Sequence, residues 1–392
     1  MSHASLDDRW IGVGRSSLAD PVLAAREAVE GACADREAAL LVLFASEAHD
    51  LDLLAAEARG AGGAAEMIGC STAGEIATSG PGDAGVVVFA FGGTGFSIST
   101  TAVTGIAQDA RQAGADAAAC LGDIADSPHT VLLLLTDGLA GDQQEVVRGA
   151  YSVAGAGVPL VGGCAGDDLR MTATHQLHDG QVLQDAVVAA AIGSDAPLGI
   201  GVHHGWTAVG AGMLVTSSGE NRVLELDDRP ALDVYCDMLD APADARTDPE
   251  AFTRFAQTHP LGMSRRSGEE QVRFIAGADF EERSLLTIAA VPPGAIVWLM
   301  EGDDASVLAA TDAACRDALA PLLGAAPKGV LVFDCVARRG VLGDAGIRRE
   351  VERVAEHADG APVAGFYSYG EIARTQGVSG FHNQTLVVLA VG

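Results

Sequence analysis

The stretch GFYSYGEIARTQGVSGFHNQTLVVLAV, residues 365–391, joins a polar turn that contains glycine to an apolar strand at the end of the chain. The same order occurs twice before. EMIGCSTAGEI (66–76) leads to AGVVVFAF (84–91), and PLVGGCAGDDL (159–169) leads to DAVVAAAI (185–192). A pattern that occurs three times in one chain indicates an internal repeat.

The segments that precede each turn support this repeat. Each copy contains a short apolar run typical of a strand covered on both faces: ALLVLFAS (39–46), TVLLLLTD (130–137) and GVLVFDCV (329–336). A helical pattern flanks each run on both sides. The predicted unit is therefore β-α-β-α-β-β, which favours an α/β fold with mixed sheets covered by helices. The last two strands of each unit, joined by the turn, are predicted to run antiparallel.

The repeat divides the 392-residue chain into two lobes. Residues 1–195 hold two units, and residues 196–392 hold a strand-rich segment (196–294) followed by the third unit (295–392). The strand-rich segment is interpreted either as a distinct region or as a fourth, eroded copy of the unit.

The composition excludes several classes of function. A net charge of −29 disfavours nucleic acid and anionic membranes as partners. No apolar run reaches the ~18 residues that span a bilayer, and the N-terminus lacks the features of a signal peptide. The seven cysteines contain no C-x-x-C pair, so reduced thiols are expected. The sequence predicts a soluble, cytoplasmic protein.

The glycine turns are the predicted ligand site. Gly69 precedes Glu75 by the spacing that separates Gly365 from Glu371, and the middle copy keeps this frame from Gly162 to Asp168. Ligands of α/β sheets bind where parallel strands end, and glycine permits close backbone approach there. A turn without any function is the alternative interpretation.

At this point the sequence resembles a known family. IGCSTAGEI, VPLVGGCAGDD, FDCVARR and, above all, GFYSYGEI…FHNQTLVVLAV resemble the FIST sensory domain, named for F-box and intracellular signal-transduction proteins. GVHHGWTAVG, ELDDRPALDVY and HPLG extend the resemblance through the second half. The resemblance implies N- and C-terminal FIST halves, a small ligand with amino acids proposed, and a signalling partner protein.

For an amino acid, the acidic side chains at the turns suit the ammonium group, and Arg338 and Arg339 suit the carboxylate. Backbone N–H groups of the glycine turns are the alternative site for the carboxylate. Tyrosine, histidine and asparagine of the closing stretch supply further polar groups. The candidate ligand-binding residues are Gly69, Cys70, Ser71, Glu75, Gly163, Cys164, Asp168, Arg338, Tyr367, Tyr369, Glu371, His382 and Asn383.

Two alternatives to a small-ligand sensor remain open. One branch of the resembling family is similar to haem proteins that sense nitric oxide, and the candidate haem ligands are His203, His204, His259 and His382. The other alternative is a hydrolase that uses Cys164 or the acidic cluster. No catalytic signature is present in the sequence, so we expect a sensor that is not an enzyme and that needs no cofactor. A homo-oligomer is also possible.

Overall fold

The computed structural model describes residues 8–219, 221–264, 270–375 and 380–392. This part of the chain forms eight α-helices and twenty-six strands and has the predicted α/β fold. The first unit consists of β1 (Trp10–Ser16), α1 (Pro21–Cys33), β2 (Ala38–Ala45), α2 (Leu51–Ala61), β3 (Glu66–Ser71), β4 (Glu75–Ala77), β5 (Gly80–Gly82) and β6 (Val86–Gly92).

The second unit repeats this order. It consists of β7 (Phe96–Thr104), α3 (Ile106–Ala117), β8 (His129–Thr136), α4 (Gln143–Ala154), β9 (Leu160–Cys164), β10 (Gln176–His178), β11 (Gln181–Leu183) and β12 (Ala186–Ser194). Aspartate side chains begin three of these helices: Asp20, Asp50 and Asp142 accept N–H groups of Leu23, Leu53 and Gln144 at 2.9, 3.1 and 2.8 Å.

The third unit starts much earlier than residue 295. Its first strand is β13 (Leu198–His203), and an inserted lobe then interrupts it. The lobe consists of β14 (Thr207–Gly219), β15 (Arg222–Leu226), β16 (Arg229–Pro230), α5 (Ala231–Met238), α6 (Pro249–Ala256), β17 (Leu261–Ser264), β18 (Glu270–Arg273), β19 (Ile275–Asp279), β20 (Ser284–Thr287) and β21 (Ile296–Glu301). The unit then continues with α7 (Asp304–Leu319), β22 (Gly329–Cys335), α8 (Val336–His357), β23 (Val363–Ser368), β24 (Glu371–Arg374), β25 (Phe381–His382) and β26 (Leu386–Val391).

A glycine pair marks the true start of the third unit. A Cβ atom on Gly199 or Gly201 of β13 would lie 1.9 Å from a carbonyl oxygen of α7. Gly12 and Gly14 of β1 approach α1 in the same way. The G-x-G spacing in both first strands therefore lets a helix pack directly on the strand backbone. The same spacing in the sequence indicates that the third unit begins with the strand that starts at Leu198.

The inserted lobe is not a fourth copy of the unit. All strand pairs of its sheet, in the order β18-β17-β21-β14-β15-β20-β19 with β16 beside β15, are antiparallel within the described residues. The repeat, by contrast, pairs its second and third strands in parallel. The lobe has its own core around Tyr235 and Phe252.

Three six-stranded sheets form the body of the molecule, called the core here. Their orders are β1-β6-β2-β3-β10-β11, β7-β12-β8-β9-β24-β25 and β13-β26-β22-β23-β4-β5. In each unit the last strand runs antiparallel to the third, as predicted. The two strands do not pair, however, because the second strand lies between them.

Each sheet is completed by a hairpin from another unit. Hairpin β4–β5 of the first unit joins the sheet of the third, β24–β25 of the third joins the second, and β10–β11 of the second joins the first. The three units are therefore linked in a cycle. Inside this cycle, Phe44, Phe333 and Phe366 form an aromatic cluster with ring centroids 4.9–6.4 Å apart.

Candidate functional site

The three glycine turns meet at the centre of the core. Tyr367 donates its N–H to Gly74 (2.8 Å), Gly166 donates to Ser71 (3.0 Å), and Cys164 donates to Gly370 (2.8 Å). Each turn thus contacts the other two, and all three leave equivalent strand ends, as the repeat predicts. Backbone hydrogen bonds between the turns fix their positions.

The buried carboxylates of Glu75 and Glu371 accept hydrogen bonds that hold these turns in place. Glu75 accepts the Thr72 hydroxyl (2.5 Å) and the Gly85 N–H (3.0 Å), and it is 1% exposed. Glu371 is fully buried and accepts the Ser368 hydroxyl and the Thr385 N–H at 2.7 and 3.1 Å. Burial raises the pKa of Glu75 to about 8 and that of Glu371 to about 7.

The middle turn departs from this pattern. Asp168 is exposed, and its carboxylate lies 3.2 Å from the Ser46 hydroxyl. Asp137, at the end of β8, holds the N–H of Asp185 instead, at 2.8 Å. The shared sequence frame therefore does not give Asp168 the environment of the two glutamates.

Arg338 has little capacity to hold a ligand carboxylate. Its guanidinium is fully buried, donates to Asp334 at 2.8 Å, forms an ion pair with Glu350 and contacts the His204 carbonyl oxygen at 3.1 Å. Arg339 is more accessible, but it binds the Ala73 carbonyl oxygen (2.7 Å) and Asp83 (2.7 Å). Both cations stabilise the core.

Gly69, Cys70, Ser71 and Gly163 are buried strand residues. A Cβ atom on Gly69 would lie 2.4 Å from the Leu43 carbonyl oxygen, so its role is close strand packing. The Ser71 hydroxyl donates to Gly166 at 2.7 Å. None of these four residues belongs to the described lining of the cleft, which is presented below.

Cys164 does not have the environment of a nucleophile. Its thiol is 1% exposed and lies 3.1 Å from the Thr136 hydroxyl. Burial raises the pKa of this thiol to about 12, whereas nucleophilic cysteines need a lowered pKa. The geometry thus disfavours Cys164 as the nucleophile of the hydrolase alternative.

The histidines proposed as haem ligands are bound to protein groups. His203 pairs with Asp317 (2.8 Å), His259 with the Phe255 carbonyl oxygen (2.8 Å), and His382 with the Ala373 carbonyl oxygen (2.9 Å).

His204 accepts the Trp206 N–H at 2.9 Å, and burial together with Arg338 lowers its pKa to about 4. None of the four histidines belongs to the described lining of the cleft presented below, so they offer no axial ligand to a haem bound there. Among the described residues, no group of three or more His, Cys, Asp or Glu side chains has the geometry of a metal site.

Two adjoining cavities form a cleft between the core and the inserted lobe. The larger has a volume of 520 Å³ and the smaller 100 Å³, and they share Gly138, Met171, Ile288 and Tyr369. Ile288 belongs to the lobe and the other three to the core. The larger cavity is further lined by Leu139, Gly141, Asp142, Gln143, Asn221, Thr287, Ala289, Ala290 and Phe381.

Of the candidate residues, Tyr369 and Asn383 line this cleft. Tyr367 does not; its buried hydroxyl lacks a hydrogen-bond partner among the described residues. Asn383 is 1% exposed, and its Oδ1 likewise lacks a partner within the described chain. The candidate residues that line the cleft thus both belong to the closing stretch of the third unit.

A loop held by Asp167 forms one wall of the cleft. The Asp167 carboxylate accepts the Tyr369 hydroxyl and the N–H groups of Met171 (2.9 Å) and Thr172 (2.7 Å). Burial alone would raise the pKa of Asp167, but these hydrogen bonds outweigh it and hold the pKa below its usual value. Leu169, at φ 63°, and Met171, at φ 53°, are left exposed at the cleft.

The sequence analysis missed this loop, Gln143 and the lobe residues of the cleft. The one sequence signal for the loop was the pair of adjacent acids, because Asp167 lies next to the predicted Asp168. Gln143 follows the Asp142 helix cap, and its Oε1 is buried without a partner in the described part of the chain. Contacts of the lobe with the core had no signal, because they join residues far apart in sequence.

The comparisons with known proteins agree with this architecture. The FIST N domain matches residues 39–229 and the FIST C domain matches residues 231–374. The chain therefore belongs to the FIST family, whose domains are sensory domains of signal transduction. The two matches meet inside the inserted lobe, between β16 and α5, and not at residue 195.

One curated relative is the uncharacterized protein MJ1623 of Methanocaldococcus jannaschii, which is 27% identical over 154 residues. The match covers 37% of this chain and 30% of the relative, so the chain matches less than a third of that protein's length. In the part of the chain that the structure describes, no helix has the length and apolar composition needed to cross a membrane.

Proposed function

We propose that this protein is a small-molecule sensor that binds its ligand in the cleft and performs no catalytic step. The observation behind the proposal is that both cavities have walls from the core and from the inserted lobe. A ligand in the cleft contacts both bodies and stabilises the arrangement in which they are close. Preferential binding to one arrangement is what a sensor requires.

The proposed ligand is an amino acid or a similar small metabolite. Asp142 lines the larger cavity, and its carboxylate suits the ammonium group of such a ligand. The described lining of both cavities contains no arginine or lysine, so this binding mode differs from the one expected for Arg338, in which a cation holds the carboxylate.

The proposed output is a change in the position of the inserted lobe, which a cytoplasmic signalling partner detects. Two chain crossings, at residues 203–207 and 301–304, connect the lobe to the core. Gln384 also links them, because it donates to the Gln257 carbonyl oxygen at 2.8 Å. Sensory function in the FIST family supports this proposal.

The test is a thermal-shift and calorimetry series with the full chain against the amino acids, their amines and haemin. Saturation at ~100 times Kd stabilises by ~2.7 kcal/mol, which moves the melting temperature by several degrees. Ile288→Trp fills both cavities from the lobe side and should abolish the shift. Glu352→Gln is the control, because Glu352 lines a separate 480 Å³ cavity beside α8.

Binding that survives Ile288→Trp would place the ligand outside the cleft and overturn the proposal. A shift with haemin alone, accompanied by a Soret band, would favour the haem alternative instead.

A further inference from the structure

The two cavities of the cleft differ in chemistry. The larger cavity is lined by the carboxylate residue Asp142 and by the polar residues Gln143, Asn221 and Thr287. The described lining of the small cavity contains no charged side chain. A ligand that occupies both cavities therefore has a polar end and an apolar end.

Two exposed side chains of the loop after β9 form part of the wall of the small cavity. Leu169 is 62% and Met171 is 53% exposed, although both are large and apolar. Their backbones are fixed, because the Leu169 N–H donates to the Tyr369 hydroxyl at 2.8 Å and the Met171 N–H donates to Asp167 at 2.9 Å. An apolar group in the small cavity covers these side chains without first having to order the loop, so the burial of apolar surface contributes directly to affinity.

The inserted lobe and α8 add further apolar side chains to this cavity. They are Phe274 and Ile288 of the lobe and Val336 of α8. A charged group placed here would lose its water without gaining an ionic partner among the described lining residues. The wall therefore selects against charged side chains.

The volume of the small cavity limits the size of the apolar group. An apolar cavity of about 150 Å³ admits benzene, which has six carbon atoms. The small cavity has a volume of 100 Å³ and by the same proportion holds about four carbon atoms, as in the side chain of leucine or isoleucine. The side chains of phenylalanine and tryptophan exceed this volume.

We propose that the small cavity selects a branched aliphatic group of about three to four carbon atoms, so that the cleft binds leucine, isoleucine or valine in preference to smaller, charged or aromatic amino acids. This inference rests on the proposed function, because it assigns the side-chain class of the ligand in the same cleft. The ammonium group then lies in the larger cavity, which Asp142 lines.

The experiment is isothermal titration calorimetry of the full chain with glycine and the L-forms of alanine, valine, leucine, phenylalanine and glutamate. We expect the affinity to rise roughly fourfold with each carbon atom added from alanine to leucine, because each one buries further apolar surface. Phenylalanine, which is too large, and glutamate, which is charged, should each bind roughly tenfold more weakly than leucine.

Leu169→Asn tests whether the loop wall carries this preference. Asparagine tolerates the positive φ of residue 169, which is 63°, so the loop should keep its conformation. The ratio of the leucine affinity to the alanine affinity should fall roughly fivefold, and the affinity for glycine should not change. Leu323→Asn is the matched control, since Leu323 is 91% exposed, has a φ of 52° and belongs to the described lining of neither cavity.

The outcomes separate this inference from the proposed function. Equal affinities across the series that Ile288→Trp abolishes overturn the inference and leave the cleft as the site. An affinity that keeps rising through phenylalanine, or a leucine preference that Leu169→Asn leaves intact, also overturns the inference. If no probe binds, the inference is wrong, and the wider panel with Ile288→Trp decides the proposed function.

A second variant tests the size limit from the side of the lobe. Ile288→Ala enlarges the small cavity and should move the preference from leucine towards phenylalanine. The same order of affinities as in the unmutated protein would overturn the inference. Glycine binding that is retained in this variant shows that the cleft is still formed.

Discussion

Glu75 and Glu371 occupy the same position of the repeat, and each holds the N–H that precedes the last strand of its unit. The sequence frame identified both residues as important. Their carboxylates are, however, occupied by hydroxyl and N–H groups of their own units, and they are absent from the described lining of the cleft. The repeated spacing shows that a residue recurs in the sequence. Whether its side chain binds a ligand or the backbone depends on the residues that surround it in the folded protein.

The first prediction concerns the pH dependence of stability. The folded-state pKa of Glu75, about 8, lies above its ordinary value of 4.5. Its stabilising contribution is therefore full below pH 4.5 and is lost as the pH rises through about 8, with each pKa unit corresponding to about 1.4 kcal/mol. Urea unfolding from pH 5 to 8.5 should show the free energy of unfolding falling faster in the unmutated protein than in Glu75→Gln.

The matched control for this series is Asp168→Asn, since Asp168 has the same sequence frame but is exposed. Its pH curve should stay parallel to that of the unmutated protein. Glu371→Gln should reproduce the Glu75 effect at a lower pH, because the pKa of Glu371 is about 7. Parallel curves for both glutamine variants would contradict the prediction.

At the scale of elements, the loop that follows β9 makes the middle turn different from the other two. It is longer, and one carboxylate, that of Asp167, organises it against Tyr369 of the third unit. Its residues Leu169 and Met171 adopt positive φ, which is unusual for large side chains. Such a conformation persists where surrounding contacts enforce it, and it frequently marks a functional segment.

The second prediction is that Asp167→Ala loosens this loop. The loss of several hydrogen bonds to a buried charge should lower the free energy of unfolding by about 2–4 kcal/mol. Hydrogen exchange should accelerate at residues 168–173 and much less in β8. Tyr369→Phe removes one hydrogen bond to the carboxylate and leaves the N–H groups of Asp167 and Leu169 without the hydroxyl that accepts them at 3.2 and 2.8 Å, so it should loosen the loop as well. Asp168→Ala is the control, and an equal effect of that variant would show that Asp167 does not organise the loop.

At the scale of the whole molecule, the exchange of hairpins makes the three units depend on one another. Thr78 of the first unit and Val363 of the third form reciprocal hydrogen bonds of 3.2 and 2.8 Å across one such junction. Each sheet lacks two strands without its neighbour, and each donated hairpin lacks a sheet. The three units are therefore repeats in sequence, but none of them forms a complete sheet by itself.

The third prediction follows from this dependence. A fragment of residues 8–195 contains two complete units by sequence, but it loses hairpin β24–β25 and the sheet that receives β4–β5. We expect it to lack a cooperative thermal transition and to expose apolar sheet edges. Calorimetry of the fragment beside the full chain is the measurement. A sharp transition of the fragment, with native-like near-ultraviolet circular dichroism, would contradict the prediction.

The sequence by itself determined the repeated unit, the α/β class and the position of the three glycine turns at equivalent points of the repeat. Local apolar patterns and turn residues encode these features, so they are visible without neighbours. The start of the third unit was misplaced, because an insertion separates its first strand from its first helix.

Only the tertiary structure decided which turn bears the candidate site. The three turns have related sequences and equivalent positions, but the inserted lobe packs beside the junction of the second and third units, where Gly138, Tyr369 and Ile288 meet. At the junction of the first and second units, Glu47 binds His175 at 2.7 Å. The physical reason is that a cavity needs walls from distant segments, and the packing of the lobe breaks a symmetry that the repeat alone preserves.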